Sequence, residues 1–507
     1  MKSSNRIIVN TLAQYARTLI NLVLSLYSAR LVLQILGEDD YGIYALIGGV
    51  VAMLSFFTNS LVSSTQRFLS IGQGRGNLEE LKRIFSSSLL LHIILGLAVT
   101  VILECLTPFL FDGFLNIPPD RTEAAIIVYQ QVVVMVYISF LSAPYKALLV
   151  SRENIVYTSI VDVADGVMKV VLVLILPYIP ASHLVAYGWI MLFITVFEFF
   201  CFSVYTHRKY EECVFPRWRH LTREYVRQLM AFTGWITYST LCIAVRNQGL
   251  AIILNRIKGP AINAAYGIGM QISGMVSFVS TSLTNAIAPQ LMASEGGSKR
   301  EQMLFLSEMN SKFSYLLLAG VGIPVMFEMQ VVLKAWLGDV PDSTALFGCM
   351  FLIMMIVDML TTGLAAANNA VGRIGRYVLI DYTPKLLAVP ACRYALHRGC
   401  GMWTVLAVMV AVETLCMLIR LPLSRRIEGF SMGRYCRNVL ARVVVPTLVS
   451  LAVCTAVHFL TDSAWRILLT LSLALPAFAI AAYRFSLVDI ERRKIDSILA
   501  MLHLKKH

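Results

Sequence analysis

Charge is what this chain of 507 residues has least of. Only 14% of its residues are Asp, Glu, Lys or Arg, whereas 57% are hydrophobic. A soluble globular chain carries about 25% charged residues, because its surface faces water. The shortage excludes a soluble fold of this size, and a mean hydropathy of +0.70 makes lipid the main solvent. Ten cysteines are scattered, mostly in apolar runs, with no CxxC pair and no Cys/His cluster. Neither a zinc site nor a disulfide framework is expected, and Cys392 and Cys400 are read as unpaired thiols. No Gly-rich phosphate loop, HExxH, DxD or GxSxG motif stands out, and the longest loop has about 22 residues. No enzyme activity, cofactor or metal is therefore expected, and neither is direct use of ATP. No small-residue cleavage site follows "MKSSNR", so the first apolar stretch is read as a retained span.

What the chain has is apolar length. A spanning helix needs about 20 mostly apolar residues. Fourteen segments qualify, near 8–35, 41–66, 85–112, 122–149, 155–178, 183–206, 229–255, 262–291, 308–336, 344–370, 375–396, 402–424, 439–460 and 464–483. They are helices, because an open sheet would leave unpaired backbone groups in lipid. Their length and weak alternation also exclude a β-barrel. With the N-terminus inside, the inner loops, tails and inner span ends hold 30 of the 43 basic residues, and the outer loops hold five. By the positive-inside rule both termini face the cytoplasm of an inner-membrane protein. The net charge of +13 is thus topological, and nucleic acid is not an expected partner.

The chain also repeats itself. "MLSFFTNSL" (53–61) and "MVSFVSTSL" (275–283) agree at five of nine positions. The same offset of 222 pairs Gly37 with Gly259 and Tyr44 with Tyr266. The fold expected is all-α, with two parallel-repeat six-helix lobes around a central cavity. The lobes are 1–206 and 229–424, joined by a cytoplasmic linker at 207–228. Two additional spans lie in 439–483, and a basic amphipathic tail at 484–507 is expected on the cytoplasmic leaflet.

Polar residues inside spans are expensive, so function is sought there. Asn10, Gln14, Arg17, Asn21, Ser25 and Ser28 recur every three or four residues and share one helix face. Such a stripe faces protein or a wet cavity. Helix–helix adhesion explains Ser, Asn and Gln equally well. A central Arg costs roughly 3 kcal/mol or more to insert, which favours a cavity for Arg17. Asn59 and Ser63 share a face of the second span, as do Thr281 and Asn285 of its repeat. Asp165/Lys169 and Asp381/Lys385 are i,i+4 pairs, readable as structural ion pairs. Asp162 and Asp358 have no partner along their own helices. Asp162, Asp165, Asp358 and Asp381 are the candidates for coupling to H⁺ or Na⁺. Arg246 and the adjacent Asn247 would lie inside the bilayer. Arg17, Gln14, Asn21, Asn59, Arg246, Asn247 and Asn285 are the candidate substrate-binding set. Pro144, Pro324 and Pro384 interrupt spans and are expected to kink them.

Seven stretches carry a family likeness: "SLYSARLVLQILGEDDYGIYALIGGVVAMLSF", "SSTQRFLSIGQGRG", "LNIPPDR", "APYKALL", "NQGLAIILN", "GPAINAAYGI" and "AWLGDVPD". In this order the chain resembles bacterial polysaccharide (O-antigen type) flippases of the multidrug/oligosaccharidyl-lipid/polysaccharide exporter superfamily. The resemblance implies twelve core helices in two lobes, often with two more. It implies flipping of undecaprenyl-pyrophosphate-linked oligosaccharide, with membrane lipids and polysaccharide polymerases as further partners. Family members commonly carry a basic residue where this chain has Tyr266, and an apolar one at Arg246. The alternative within the superfamily is a cation-coupled multidrug antiporter, which favours acidic cavity groups.

Overall fold

The computed structural model describes residues 3–111, 118–180, 182–215, 223–337, 340, 342–372, 374–460, 466–488 and 491–492. Among them there is no strand. This is an all-helical membrane protein. Eight helices are long and apolar enough to cross a bilayer, or ten if two bent pairs each count as one span. The expected fourteen are thus not all established. The segments expected at 41–66, 155–178, 262–291 and 375–396 are helical but fall outside that set. Two of them hold the charges described below. Much of the linker (216–222) and most of the tail (493–507) lie outside the described residues, as do the side chains of 49–57 within the first repeat element.

α1 (Ser3–Arg75) contains the first two expected spans, broken at Gly37, whose φ of 80° is left-handed. Its repeat partner Gly259, between α6 (Arg223–Lys258) and α7 (Pro260–Gly296), has φ 91°. The two glycines make corresponding breaks because a Cβ disfavours that conformation. Pro324 precedes the expected kink: α8 (Arg300–Phe327) meets α9 (Met329–Leu337) at 77°. Pro144 and Pro384 instead sit inside α3 (Thr122–Ser151) and α12 (Gly375–His397), which continue through them.

Contacts divide the chain into two compact units: Met1–Tyr238 with Ala288–Lys299, and Ser239–Ile287 with Arg300–His507. Two of the three boundaries fall inside α6 and α7, and the third just before Arg300. In the first unit, α3 packs against α1 and α5 (His183–Lys209) over a core that includes Val128, Tyr129, Val132, Phe140 and Tyr187. In the second, α10 (Thr344–Met359) and α13 (Met402–Leu423) pack around Tyr266, Phe347, Met350 and Met409. The added helices α15 (Ala441–Leu460) and α16 (Arg466–Ala481) pack on α8, with Phe478 against Gly320. Here one expectation needs correction. The start of the tail does not lie free on a leaflet. Leu487 is buried, and Glu491 accepts a 2.5 Å bond from Lys312.

The first unit holds a backbone crossing. A Cβ on Gly296 would stand 2.1 Å from the Ile71 carbonyl oxygen, and one on Gly74 would stand 2.0 Å from that of Ala293. Both pairs, Gly74/Gly296 and Ile71/Ala293, are separated by the repeat offset of 222. The contact is therefore self-complementary, as an isologous interface is. Only glycine allows backbones this close.

Candidate functional site

Each unit draws six charged residues of its expected spans into one cluster. In the first, α1 supplies Arg17, α3 supplies Lys146, α4 (Ile155–Ile175) supplies Asp162, Asp165 and Lys169, and α5 supplies Glu198. Arg17 Nη1 donates to Asp162 Oδ2 at 2.6 Å. Lys146 Nζ reaches Asp162 Oδ1 at 3.5 Å and Glu198 Oε1 at 3.3 Å. Asp165 lies within electrostatic reach of Lys169, Lys146, Asp162 and Glu198. Three cations thus face three carboxylates.

The second unit repeats the plan with other residues. Arg246 Nη1 donates to Glu413 Oε2 at 2.7 Å, and Lys385 donates to Glu413 Oε1. Arg420 Nε lies 2.9 Å from both oxygens of Asp381, and its Nη1 donates to Asp358 at 2.6 Å and Thr361 at 3.3 Å. Asp358 and Thr361 flank the break where α10 bends by 51° into α11 (Thr362–Val371). Again three cations meet three carboxylates. They come from expected spans seven, ten, eleven and twelve, the repeat counterparts of one, four, five and six.

Exposure separates the two clusters. In the second, all three cations are covered: Lys385 and Arg420 are at most 4% exposed and Arg246 is 8%, Glu413 is 4% and Asp381 fully covered, and only the carboxylate Asp358, at the α10 break, is open at 31%. In the first, Arg17 and Lys146 are 27% and 35% exposed. Buried, fully paired charge holds helices together. Half-open charge in a span requires water or a polar ligand. The first cluster is the candidate site.

Several expectations change. Asp162 and Asp358 do not stand alone, because each takes a cation from another helix. The i,i+4 pair Asp381/Lys385 is not made; both residues are drawn to α13, which offers Arg420 and Glu413. The stripe on α1 packs largely within its own unit. Asn10 Nδ2 donates to the Glu153 carbonyl at 2.9 Å, Gln14 and Ser28 are buried, and Asn21 lies beside Gly166. The Asn21 Oδ1 is buried without a hydrogen-bond partner among the described residues. Asn247 accepts a bond from Arg246 at 3.1 Å, and its carbonyl accepts one from the Tyr266 hydroxyl at 3.3 Å. Asn59 and Asn285 are exposed and join neither cluster. Sequence reasoning missed Lys146, Glu198, Glu413 and Arg420. Their signal was present: each is an ionisable residue inside an expected span.

The sequence pattern described as polysaccharide biosynthesis protein matches residues 4–294. The chain belongs to that family. No curated protein sequence matches it. Solved structures share the fold of this family member. A MATE transporter in complex with MaL6 superimposes with a TM-score of 0.72 at 14% identity, over 86% of this chain and 98% of that one. An outward-facing MATE family multidrug resistance transporter of the MOP superfamily gives 0.71 at 14%, over 86% and 97%. A MOP superfamily transporter from Pyrococcus furiosus gives 0.72 at 15%, over 85% and 97%; its binding pocket is described as reversed in polarity. This polysaccharide biosynthesis protein therefore has the helical fold of a membrane transporter.

Proposed function

We propose that the protein is a flippase for undecaprenyl-pyrophosphate-linked oligosaccharide, working in an inner membrane by alternating access. The observation that carries this reading is the half-open Arg17. Asp162 holds the guanidinium through Nη1, and Arg17 makes no other hydrogen bond or ion pair among the described residues. Nε and Nη2 remain for a pyrophosphate, which a planar fork binds bidentately. Asp162 thus orients the cation, and Lys146 adds a second positive charge beside it. The family membership supports a polysaccharide precursor as cargo. An antiporter reading needs a carboxylate free to take up a cation. Asp162, Asp358 and Asp381 each already hold one, which weakens that alternative at those three; Asp165 makes no hydrogen bond or ion pair among the described residues, not even with Lys169, and is the carboxylate an antiporter would have to use.

Arg17→Ala should abolish translocation of a lipid-pyrophosphate oligosaccharide while folded yield stays near parental, since Lys146 still neutralises Asp162. Arg17→Lys keeps charge without the fork and should retain partial activity. Measuring both variants for membrane yield and translocation decides the role. A folded Arg17→Ala protein that translocates at the parental rate would sink it.

The proposed topology has its own test. Single cysteines at Tyr178 and Asp342, in a cysteine-free background, should react with an impermeant maleimide from the periplasmic side. Both termini should be protected from it. Labelling of either loop from the cytoplasm alone would invalidate the expected orientation.

A further inference from the structure

The Arg17–Asp162 pair is the first rung of a longer row. On α4, Asp162, Asp165 and Lys169 are three and four residues apart and share one face. Ile160, Val167 and Val171 each lie two residues from one of them, on the opposite face, and are exposed. The apolar face therefore suits lipid, and the charged face turns into the protein. Before Asp162 the row is closed: Thr158 is buried, and its hydroxyl donates to the Ile155 carbonyl at 2.9 Å. Beyond Asp162 it is open. Asp165 and Lys169 are half-buried and make no hydrogen bond or ion pair among the described residues, and their charged atoms are not buried.

Sequence order alone would pair these two charges. An acid four residues before a lysine is the favourable arrangement on a helix, and unpaired charge in a span is costly. Held apart, each is left to meet a polar group that the chain does not supply. α1, which packs on α4, contributes a third such group. Asn21, one turn on from Arg17, lies against Gly166, where a Cβ would stand 3.1 Å from Asn21 Oδ1. That oxygen is sealed. Nδ2 is neither bonded among the described residues nor buried, and remains a donor. One acceptor and two donors thus continue the row from the guanidinium. At about 1.5 Å of rise per residue, Asp165 lies about 4.5 Å along α4 from Asp162, and Lys169 about 6 Å further. A pyrophosphate on Arg17 would leave its first sugar beside them.

We propose that Asn21, Asp165 and Lys169 form a subsite for the sugar attached directly to the pyrophosphate, and that this sugar is uncharged. The inference rests on the flippase reading and names part of its cargo. Asp165 accepts from two neighbouring hydroxyls, one on each oxygen. Lys169 and the Asn21 amide donate to sugar oxygens. Charge decides the class of sugar. Arg17, Lys146 and Lys169 balance Asp162, Asp165 and Glu198. The pyrophosphate already brings this cluster to an excess of negative charge, and a uronic acid would add to it with no cation to spare. Lys169 beside Asp165 likewise opposes the ammonium of an amino sugar.

The test uses the full-length protein in phosphatidylcholine nanodiscs and three short-chain probes: a bare prenyl pyrophosphate, and the same pyrophosphate bearing glucose or glucuronic acid. Titration calorimetry reads the affinities. The glucosyl probe should bind the parental protein at least tenfold tighter than the bare one, a gain that one charge-assisted hydrogen bond suffices to supply. The glucuronosyl probe should gain nothing over the bare one. The double variant Asp165→Leu/Lys169→Met removes both charges and keeps the cluster balanced; its glucosyl-to-bare ratio should fall to about one. Asn21→Ala, a milder change, should lose part of the ratio and serves if the double variant misfolds. Arg17→Ala should weaken both probes and keep the ratio. A tenfold ratio that persists in the double variant or is untouched by Asn21→Ala, each folded by thermal melt, overturns the subsite. So does a ratio of about one in parental protein that binds both probes. A glucuronosyl probe tighter than the glucosyl one overturns the uncharged class. Binding of neither the bare nor the glucosyl probe overturns the flippase reading of Arg17, and the subsite with it, so the two failures are distinguishable.

Discussion

Glu413→Ala should remove most of the folded protein from the membrane. Glu413 is the shared carboxylate of Arg246 and Lys385, and its loss leaves two covered cations with no counter-charge between them. Breaking a buried pair by deleting one partner destabilises by about 3–5 kcal/mol, and here one deletion strands two partners. That is a large fraction of the 5–15 kcal/mol by which a folded domain is stable. Glu413→Gln keeps the shape and a hydrogen-bond acceptor but not the charge, and should fall between. Adding Lys385→Met to Glu413→Ala removes one stranded cation and should restore part of the yield. Fluorescence-detected size exclusion and thermal melting in detergent measure all three. A Glu413→Ala protein that melts with the parental protein would show that the cluster is not a fixed support.

The second large effect is expected at the glycine crossing. Gly74→Ala and Gly296→Ala each place a Cβ about 2 Å from a backbone oxygen of the other helix end. Side-chain overpacking costs about 1–3 kcal/mol; backbone cannot swing aside as a side chain can, so the cost should be at the upper end or above. The two lesions share one contact. Once either pushes the helix ends apart, the other is accommodated, and the double variant should melt close to the worse single variant. Gly433→Ala, with open space around its Cβ, should leave the melt nearly unchanged. Additive losses in the double variant would mean that the two approaches are independent.

The sequence made the architecture legible because lipid imposes it. Apolar length specified helices, and the offset of 222 marked correspondences that reappear as left-handed breaks at Gly37 and Gly259 and as the Gly74/Gly296 crossing. The break of the ninth span after Pro324 was visible in its proline. Far less of the site could be read. Arg17 was singled out by its stripe, but its partner Asp162 lies 145 residues away. Arg246 and Glu413 are 167 apart. Charges four residues apart on α12 looked paired because only sequence neighbours are visible in one dimension. In the fold, α13 presents better-placed partners, and both residues turn to it. Lys146 and Glu198 were legible as single charges in long apolar runs, but their partners lie on other helices, so nothing along the chain joined them to Asp162.

The central claim is that this chain moves a lipid-linked oligosaccharide from one leaflet to the other. The most direct measurement reconstitutes the purified protein in vesicles loaded on one leaflet with a lipid-pyrophosphate oligosaccharide. Access of an impermeant glycosidase to the opposite leaflet is then followed in time. The account predicts glycan exposure many times faster than in protein-free vesicles, lost with Arg17→Ala. Exposure no faster than in protein-free vesicles, from folded parental protein under every ion gradient tried, would contradict it.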